Sequence, residues 1–153
     1  MTYIEKQLDS ISRYITITGQ HCYFCSKTGD LHSHHLFRGR WKSIWYFRWM
    51  PEFQIPLCGN CHLFLPYAPH KNMKSFWGKF ESLMILRDPE RLKLINHYRN
   101  TKIGLPEKPN LKELLKDLQL QAAKIENESW MDLEVCDNIY KGRNDDNEIY
   151  HSI

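Results

Sequence analysis

The chain has 153 residues, 42% of them hydrophobic and 25% charged, the proportions of one ordinary folded domain and not of a disordered or membrane-embedded one. No run approaches the roughly 18 apolar residues of a membrane span, and the start, MTYIEKQLDSISRY, lacks the basic-then-apolar order of a signal peptide, so a cytoplasmic protein without a membrane partner is expected. The net charge of +3 is unevenly spread: residues 1–110 carry a net +8 and residues 111–153 a net −5, so a nucleic-acid partner would meet the first part. Charge alone is equally compatible with lysines that simply solvate a surface.

Residues 1–20 form an N-terminal extension, an amphipathic start followed by ISRYITITG, whose β-branched residues suit a short strand or the end of a helix. Residues 21–82 hold the clustered cysteines and histidines, with turn signals at Thr28-Gly29-Asp30, at Arg38-Gly39-Arg40 and between Pro66 and Pro69. From Lys71 the spacing becomes helical, with Met73, Phe76, Trp77, Phe80, Leu83 and Met84 on one face. Asp88-Pro89 is an N-cap followed by proline at the first helical position, opening a helix through Leu92, Leu94, Ile95 and Tyr98. After a linker with Gly104, Pro106 and Pro109, Asn110 caps a third helix with its stripe at Leu111, Leu114, Leu115, Leu118, Ala122 and Ile125. Residues 83–136 thus read as a helical arm, whose apolar stripes leave room for a homodimer, and residues 137–153 as an acidic tail.

Four of the five cysteines form two identical knuckles, Cys22-x-x-Cys25 and Cys58-x-x-Cys61. In a reducing compartment paired thiolates at this spacing read as metal ligands, and two knuckles complete a closed tetrahedral zinc shell. A redox role for one pair finds no βαβ pattern around it, whereas exchange of a ligand with His21, His32 or His62 stays open. Cys136 stands apart as a small hydrophobe. The 32 residues between Cys25 and Cys58 make the staple close a long loop, and that loop carries Leu31-His32-Ser33-His34-His35-Leu36, with His62 directly after the last cysteine. Adjacent histidines beside a zinc knuckle suit metal-assisted phosphodiester cleavage, in which an ion neutralises the phosphate and a neutral imidazole takes the proton of the attacking water.

The run from Cys22 and Cys25 through His34-His35 to Pro56-Leu57-Cys58-Gly-Asn-Cys61-His62 resembles the HNH (ββα-metal, His-Me finger) endonucleases that carry a structural zinc. The two knuckles with a downstream helical arm are also similar to phage endonuclease VII junction resolvases. The stretch YFRW-x-PE-x-Q-I-x-x-C is similar to the NinG/Rap phage recombination nucleases. The resemblance covers roughly residues 20–80. It implies an α+β fold with a ββα-metal core over residues 21–82, DNA as partner in a bacterial cell or phage-infected host, and a magnesium or manganese ion at the catalytic centre. It further implies His34 as first ligand of that ion, His35 as general base and His62 as the ligand that completes the site. The implied frame is a hairpin with His34-His35 on its first strand, a second strand near Tyr46 to Trp49 and a helix beginning around Cys58 to His62. Phe53 stands where the family pattern has an asparagine brace, with Glu52 and Gln54 as the polar neighbours able to replace it, and Pro66 stands where a further ligand is common, leaving His70 or Asn72 for that place.

Within the insert LFRGRWKSIWYFRWMPEFQIPL, Arg38, Arg40, Lys42 and Arg48 are candidates for phosphate contact, followed by Lys71 and Lys74 downstream. Trp41, Trp45 and Trp49 could stack on unpaired bases, but Trp45, Phe47 and Trp49 at a spacing of two also read as the buried face of a strand. The expected function is a metal-dependent DNA endonuclease, possible substrates including branched or recombination DNA. The alternatives are a zinc-stabilised DNA-binding module without catalysis and a zinc-scaffolded protein-interaction module.

Overall fold

The structure, a computed structural model, describes residues 1–39, 44–101 and 104–141, with side chains described as far as residue 127. Arg40, Trp41, Lys42, the side chain of Cys136 and the acidic tail beyond residue 141 lie outside the described residues. Among the described residues, no helix is long and apolar enough to cross a membrane.

A two-stranded antiparallel sheet lies at the centre, β1 (Leu31–His35) and β2 (Gln54–Cys58), in a register that runs from Leu31 opposite Cys58 to His35 opposite Gln54. The Leu36 N–H donates to the Phe53 carbonyl at 2.9 Å and extends the ladder by one step. All five residues of β2 are buried, because both of its faces are covered. Pro56 is tolerated there because that stretch of β2 is an outer edge: its carbonyl points away from β1 and accepts from the Tyr23 N–H at 2.9 Å.

The second strand expected near Tyr46 to Trp49 is corrected: Trp45–Trp49 is a short helix, α2, and the strand follows it. The alternation at Phe47 and Trp49 has a different cause. Residues two apart on a helix point to nearly opposite sides, and α2 is wedged between two apolar clusters. Phe47 packs into the main core with Phe37, Phe53 and Tyr98, whereas Trp49 joins Leu8, Leu114 and Leu118. Trp45 packs against that second cluster while only partly buried.

The N-terminal stretch left open between strand and helix is helical, α1 (Tyr3–Ile17). Thr2 and Glu5 form a reciprocal capping box at its start, and Gly19, at φ +65°, closes its end in the left-handed conformation that glycine adopts freely. Its β-branched residues are overruled by packing: Ile4, Leu8, Ile11 and Ile15 face α2 and the last helix. The expected helix near Cys58 to His62 appears as one wide turn of π type, Asn60–Phe64. The chain then turns through Pro66 and Pro69 into α3 (Met73–Arg87), capped by Asn72, whose Oδ1 accepts the Ser75 N–H at 3.0 Å. Asp88 caps α4 (Pro89–Asn100) in the same way through the Arg91 N–H at 3.1 Å. Phe76, Phe80 and Met84 of α3 and Leu92, Ile95 and Tyr98 of α4 bury their faces against Ile55 and Leu57. The last helix, α5 (Leu111–Lys141), starts at Asn110, whose Oδ1 accepts the Lys112 N–H at 2.9 Å, and packs Leu114 and Leu118 along α1.

Successive strand residues point to opposite faces, so the hairpin offers two different environments. Ile55, Leu57, His32 and His34 face the α3 side, whereas Ser33, His35 and Gln54 face α1, where Ser12 and Thr16 meet Gln54.

Candidate metal centres

The sulfurs of Cys22, Cys25, Cys58 and Cys61 all lie within 4.8 Å of one another. Cys25 Sγ and Cys58 Sγ are 3.7 Å apart, close to the edge of about 3.8 Å that tetrahedral zinc with Zn–S bonds of about 2.3 Å requires, and far beyond a disulfide bond. The first knuckle is shaped by its backbone: the Cys22 N–H donates to the Lys27 carbonyl at 2.8 Å and the Ser26 N–H to the Cys22 carbonyl at 2.9 Å, with Ser26 at φ +57°. Burial pushes the Cys22 thiol up, but backbone N–H groups of Cys58, Cys25 and Phe24 outweigh it and hold its pKa at about 7. Burial instead raises the pKa of Cys61. Thiolate stabilised by knuckle N–H groups is what a zinc ion needs. The chain is therefore an α+β domain with a four-cysteine cluster able to hold a metal.

A second cluster lies next to the first, since His62 follows Cys61. His34, His62 and His70 each offer a ring nitrogen, all within 4.8 Å of one another. His34 Nδ1 is 3.1 Å and His70 Nε2 3.0 Å from His62 Nε2. Nitrogens bound to one tetrahedral ion at about 2.05 Å stand about 3.3 Å apart, so a small inward shift of an ion's ligands is all that separates the two arrangements. Burial, then the neighbouring His62, drives the pKa of His34 down to about 2, and burial with His70 drives that of His62 to about 4. Both rings are consequently neutral, the form that ligates metal. Three imidazoles suit zinc and its transition-metal neighbours, whereas magnesium prefers oxygen ligands.

The three rings are held differently. His34 is oriented by packing, edge-on to Phe76 with centroids 5.2 Å apart, and its buried Nε2 has no hydrogen-bond partner among the described residues. His62 is held by a bond, its Nδ1 being 3.1 Å from His32 Nδ1. His70 Nδ1 accepts from Arg38 Nη2 at 2.8 Å, and because arginine can only donate, a neutral His70 in that contact keeps its proton on Nε2. In that contact His70 Nε2 has no lone pair to offer an ion, unlike a ring whose Nδ1 carries the proton. Asn72, the other residue left for that place, is occupied as the cap of α3.

His35 is not part of this cluster. It lies on the α1 face of the hairpin, lining a cleft of about 140 Å³ with Asp9, Arg13, Ser33, Arg48 and Gln54. Its Nε2 is 3.1 Å from the Arg48 carbonyl, so Nε2 carries a proton and donates it there. Gln54, 2% exposed, donates to the same carbonyl at 2.8 Å and accepts from Ser33 Oγ at 2.5 Å. Of the two residues left open as the brace, Gln54 therefore occupies the position behind His35, while the Glu52 side chain is exposed and Phe53 is buried in the aromatic core.

Of the expected phosphate contacts, Arg38 lies against His70, Lys71 is exposed with its Nζ on the Phe64 carbonyl at 2.7 Å, and Lys74 is exposed on α3. The Arg48 guanidinium is engaged by Asp9 at 2.6 and 2.7 Å, and Trp49 Nε1 donates to the same carboxylate at 2.8 Å. The sequence reading gave α1 no part in this site, although Asp9 and Arg13, four apart, share one helix face; nothing in the sequence ties that face to His35. No family model, curated protein or solved structure matches the chain.

Proposed function

We propose that the chain is a metal-dependent DNA endonuclease, with His34, His62 and His70 holding the catalytic ion and His35 acting as general base. The observation that carries this reading is the convergence of the His34, His62 and His70 ring nitrogens beside a four-cysteine staple, with His34 on the strand that also bears His35. An ion bound there supplies a Lewis acid for the phosphodiester and its leaving oxygen. His35, held by the Arg48 carbonyl, would take the proton of the attacking water. Arg38, which lies against His70, and the exposed Lys71 and Lys74 are the cations this reading assigns to the phosphate backbone. Branched recombination intermediates are the substrate class that the resemblance suggests.

A zinc-stabilised DNA-binding module without catalysis is the second reading. It is favoured by His35 lying on the opposite face of β1 from the histidine cluster. Cleavage of plasmid, linear duplex, single strand and four-way junction with Mg²⁺, Mn²⁺, Co²⁺ or Zn²⁺ separates the two. The nuclease reading expects cutting that His35→Ala lowers by roughly 10²- to 10⁴-fold with little change in DNA affinity. Binding of DNA without cutting under every metal would favour the second reading and overturn the first.

A further inference from the structure

We propose that His32 is a positioning residue for His62, with Asp30 as its outer support, and that this pair keeps His62 Nε2 turned to the second metal ion. The proposal rests on the reading of the histidine cluster as a metal site. Neither residue belongs to the set of converging ring nitrogens: His32 approaches His62 from behind, Nδ1 to Nδ1 at 3.1 Å, with ring planes at 75°. An imidazole that binds an ion through Nε2 must carry its proton on Nδ1, and that N–H needs an acceptor. His32 Nδ1 provides it, which places the His32 proton on Nε2, the nitrogen 3.7 Å from Asp30 Oδ1. This assignment gives the His62 Nδ1 proton its acceptor, sets the His32 N–H beside the Asp30 carboxylate without a direct hydrogen bond, and leaves the His62 Nε2 lone pair on the side of His34 and His70.

The local backbone is shaped for this contact. Asp30 sits in the left-handed region at φ +49°, directly after Gly29 at φ +74°, so the tight turn ends with its carboxylate beside the strand start. Gly59, inside the second cysteine knuckle, runs beneath both side chains: a Cβ there would stand 3.5 Å from Asp30 Oδ2 and 3.9 Å from the His32 ring. The pair therefore spans from the loop after the first knuckle to the second. Asp30 and His32 are both solvent-accessible and His32 is neutral in this arrangement, so the Asp30 carboxylate acts on it only weakly and the main effect belongs to His32. Among the described residues His34 Nε2 has no such partner, and His70 is held instead by Arg38, so His62 is the ring that a neighbouring imidazole acceptor directs.

The test is Co²⁺ titration of protein already holding zinc in its cysteines, followed by visible absorption, for wild type, His32→Phe, His32→Asn and Asp30→Asn. Phenylalanine keeps a ring but removes the acceptor, and asparagine places an amide oxygen near the position of Nδ1. His32→Phe should bind Co²⁺ roughly 10- to 100-fold more weakly, the usual effect of losing such a partner. His32→Asn should return most of the affinity, Asp30→Asn should lose about threefold or less, and cysteine-bound zinc should stay at one per chain. Equal Co²⁺ affinity in His32→Phe and wild type would overturn the role of His32 while leaving the metal site in place. Failure of wild type to bind a second ion would overturn the metal reading and this proposal together. Should His32→Phe not fold, ¹⁵N spectra of the wild-type imidazoles decide: a proton on His62 Nδ1 supports the proposal, and one on Nε2 overturns it.

Discussion

As long as Arg38 donates to His70 Nδ1, an ion seeking His70 Nε2 has to break that contact first. The same guanidinium is the cation that, among the described phosphate candidates, hydrogen-bonds a histidine of the cluster. Arg38→Ala is therefore expected to act in opposite directions on two ligands, tightening Co²⁺ binding at the histidines severalfold and weakening DNA binding. Calorimetry with the ion and salt-dependent DNA titration check the two signs separately. His34 gives a second prediction at this scale. Its pKa falls from 6.5 in the unfolded chain to about 2 in the fold, so between those values the unfolded chain binds the extra proton. Its contribution is fully present above about pH 6.5 and is lost as pH falls towards its folded pKa, by up to about 1.4 kcal/mol per pH unit. Urea unfolding between pH 6.5 and 5 should show a shallower pH dependence for His34→Gln than for wild type.

One polar side chain of α4 adds hydrogen bonds to that helix's apolar packing on the hairpin. Arg91 donates to the carbonyls of Glu52, Pro51 and Gln54 at 2.8, 3.1 and 2.6 Å, and its burial lowers its pKa. These carbonyls belong to the turn that leads into β2, so the helix fixes the backbone on which Gln54 stands. Arg91→Met, which keeps the length and loses the donors, should cost roughly 3 kcal/mol of stability, read from denaturant midpoints at unchanged zinc content. How far the elements were legible follows from what signals them. The caps at Asp88 and Asn110 and the stripes of α3, α4 and α5 are local features, and the sequence declares them. The cysteine knuckles and His34, His62 and His70 were legible because ligand chemistry restricts the residue types. α2 was misread as a strand because its period-two burial depends on two clusters on opposite sides of it, which only the tertiary structure supplies. The cleft around His35 was invisible for the same reason, since Asp9 and Arg13 come from a helix far away in the chain.

On the scale of the whole molecule the two clusters are joined covalently at Cys61 and His62, and the cysteines tie the first loop to the end of β2. Stripping zinc with a strong chelator, or replacing Cys58 by serine, should therefore unfold or aggregate the chain and abolish ion binding at the histidines as well. Circular dichroism followed in parallel with metal analysis would show both losses together; a folded, zinc-free protein that still bound Co²⁺ at the histidines would contradict the linkage. The pairing of α1 with α5 has a different kind of consequence. Chains emerge from the ribosome N-terminus first, so both knuckles and all three clustered histidines are synthesised before Leu114 and Leu118, which cover Leu8 on α1. A nascent chain stopped near residue 105 would hold every metal ligand yet leave the apolar face of α1 uncovered, and with it the seat of Asp9 and Arg13 in the wall of the His35 cleft. A prematurely ended product would thus keep both ligand clusters while lacking the helix that buries Leu8 on α1, the element that carries Asp9 and Arg13.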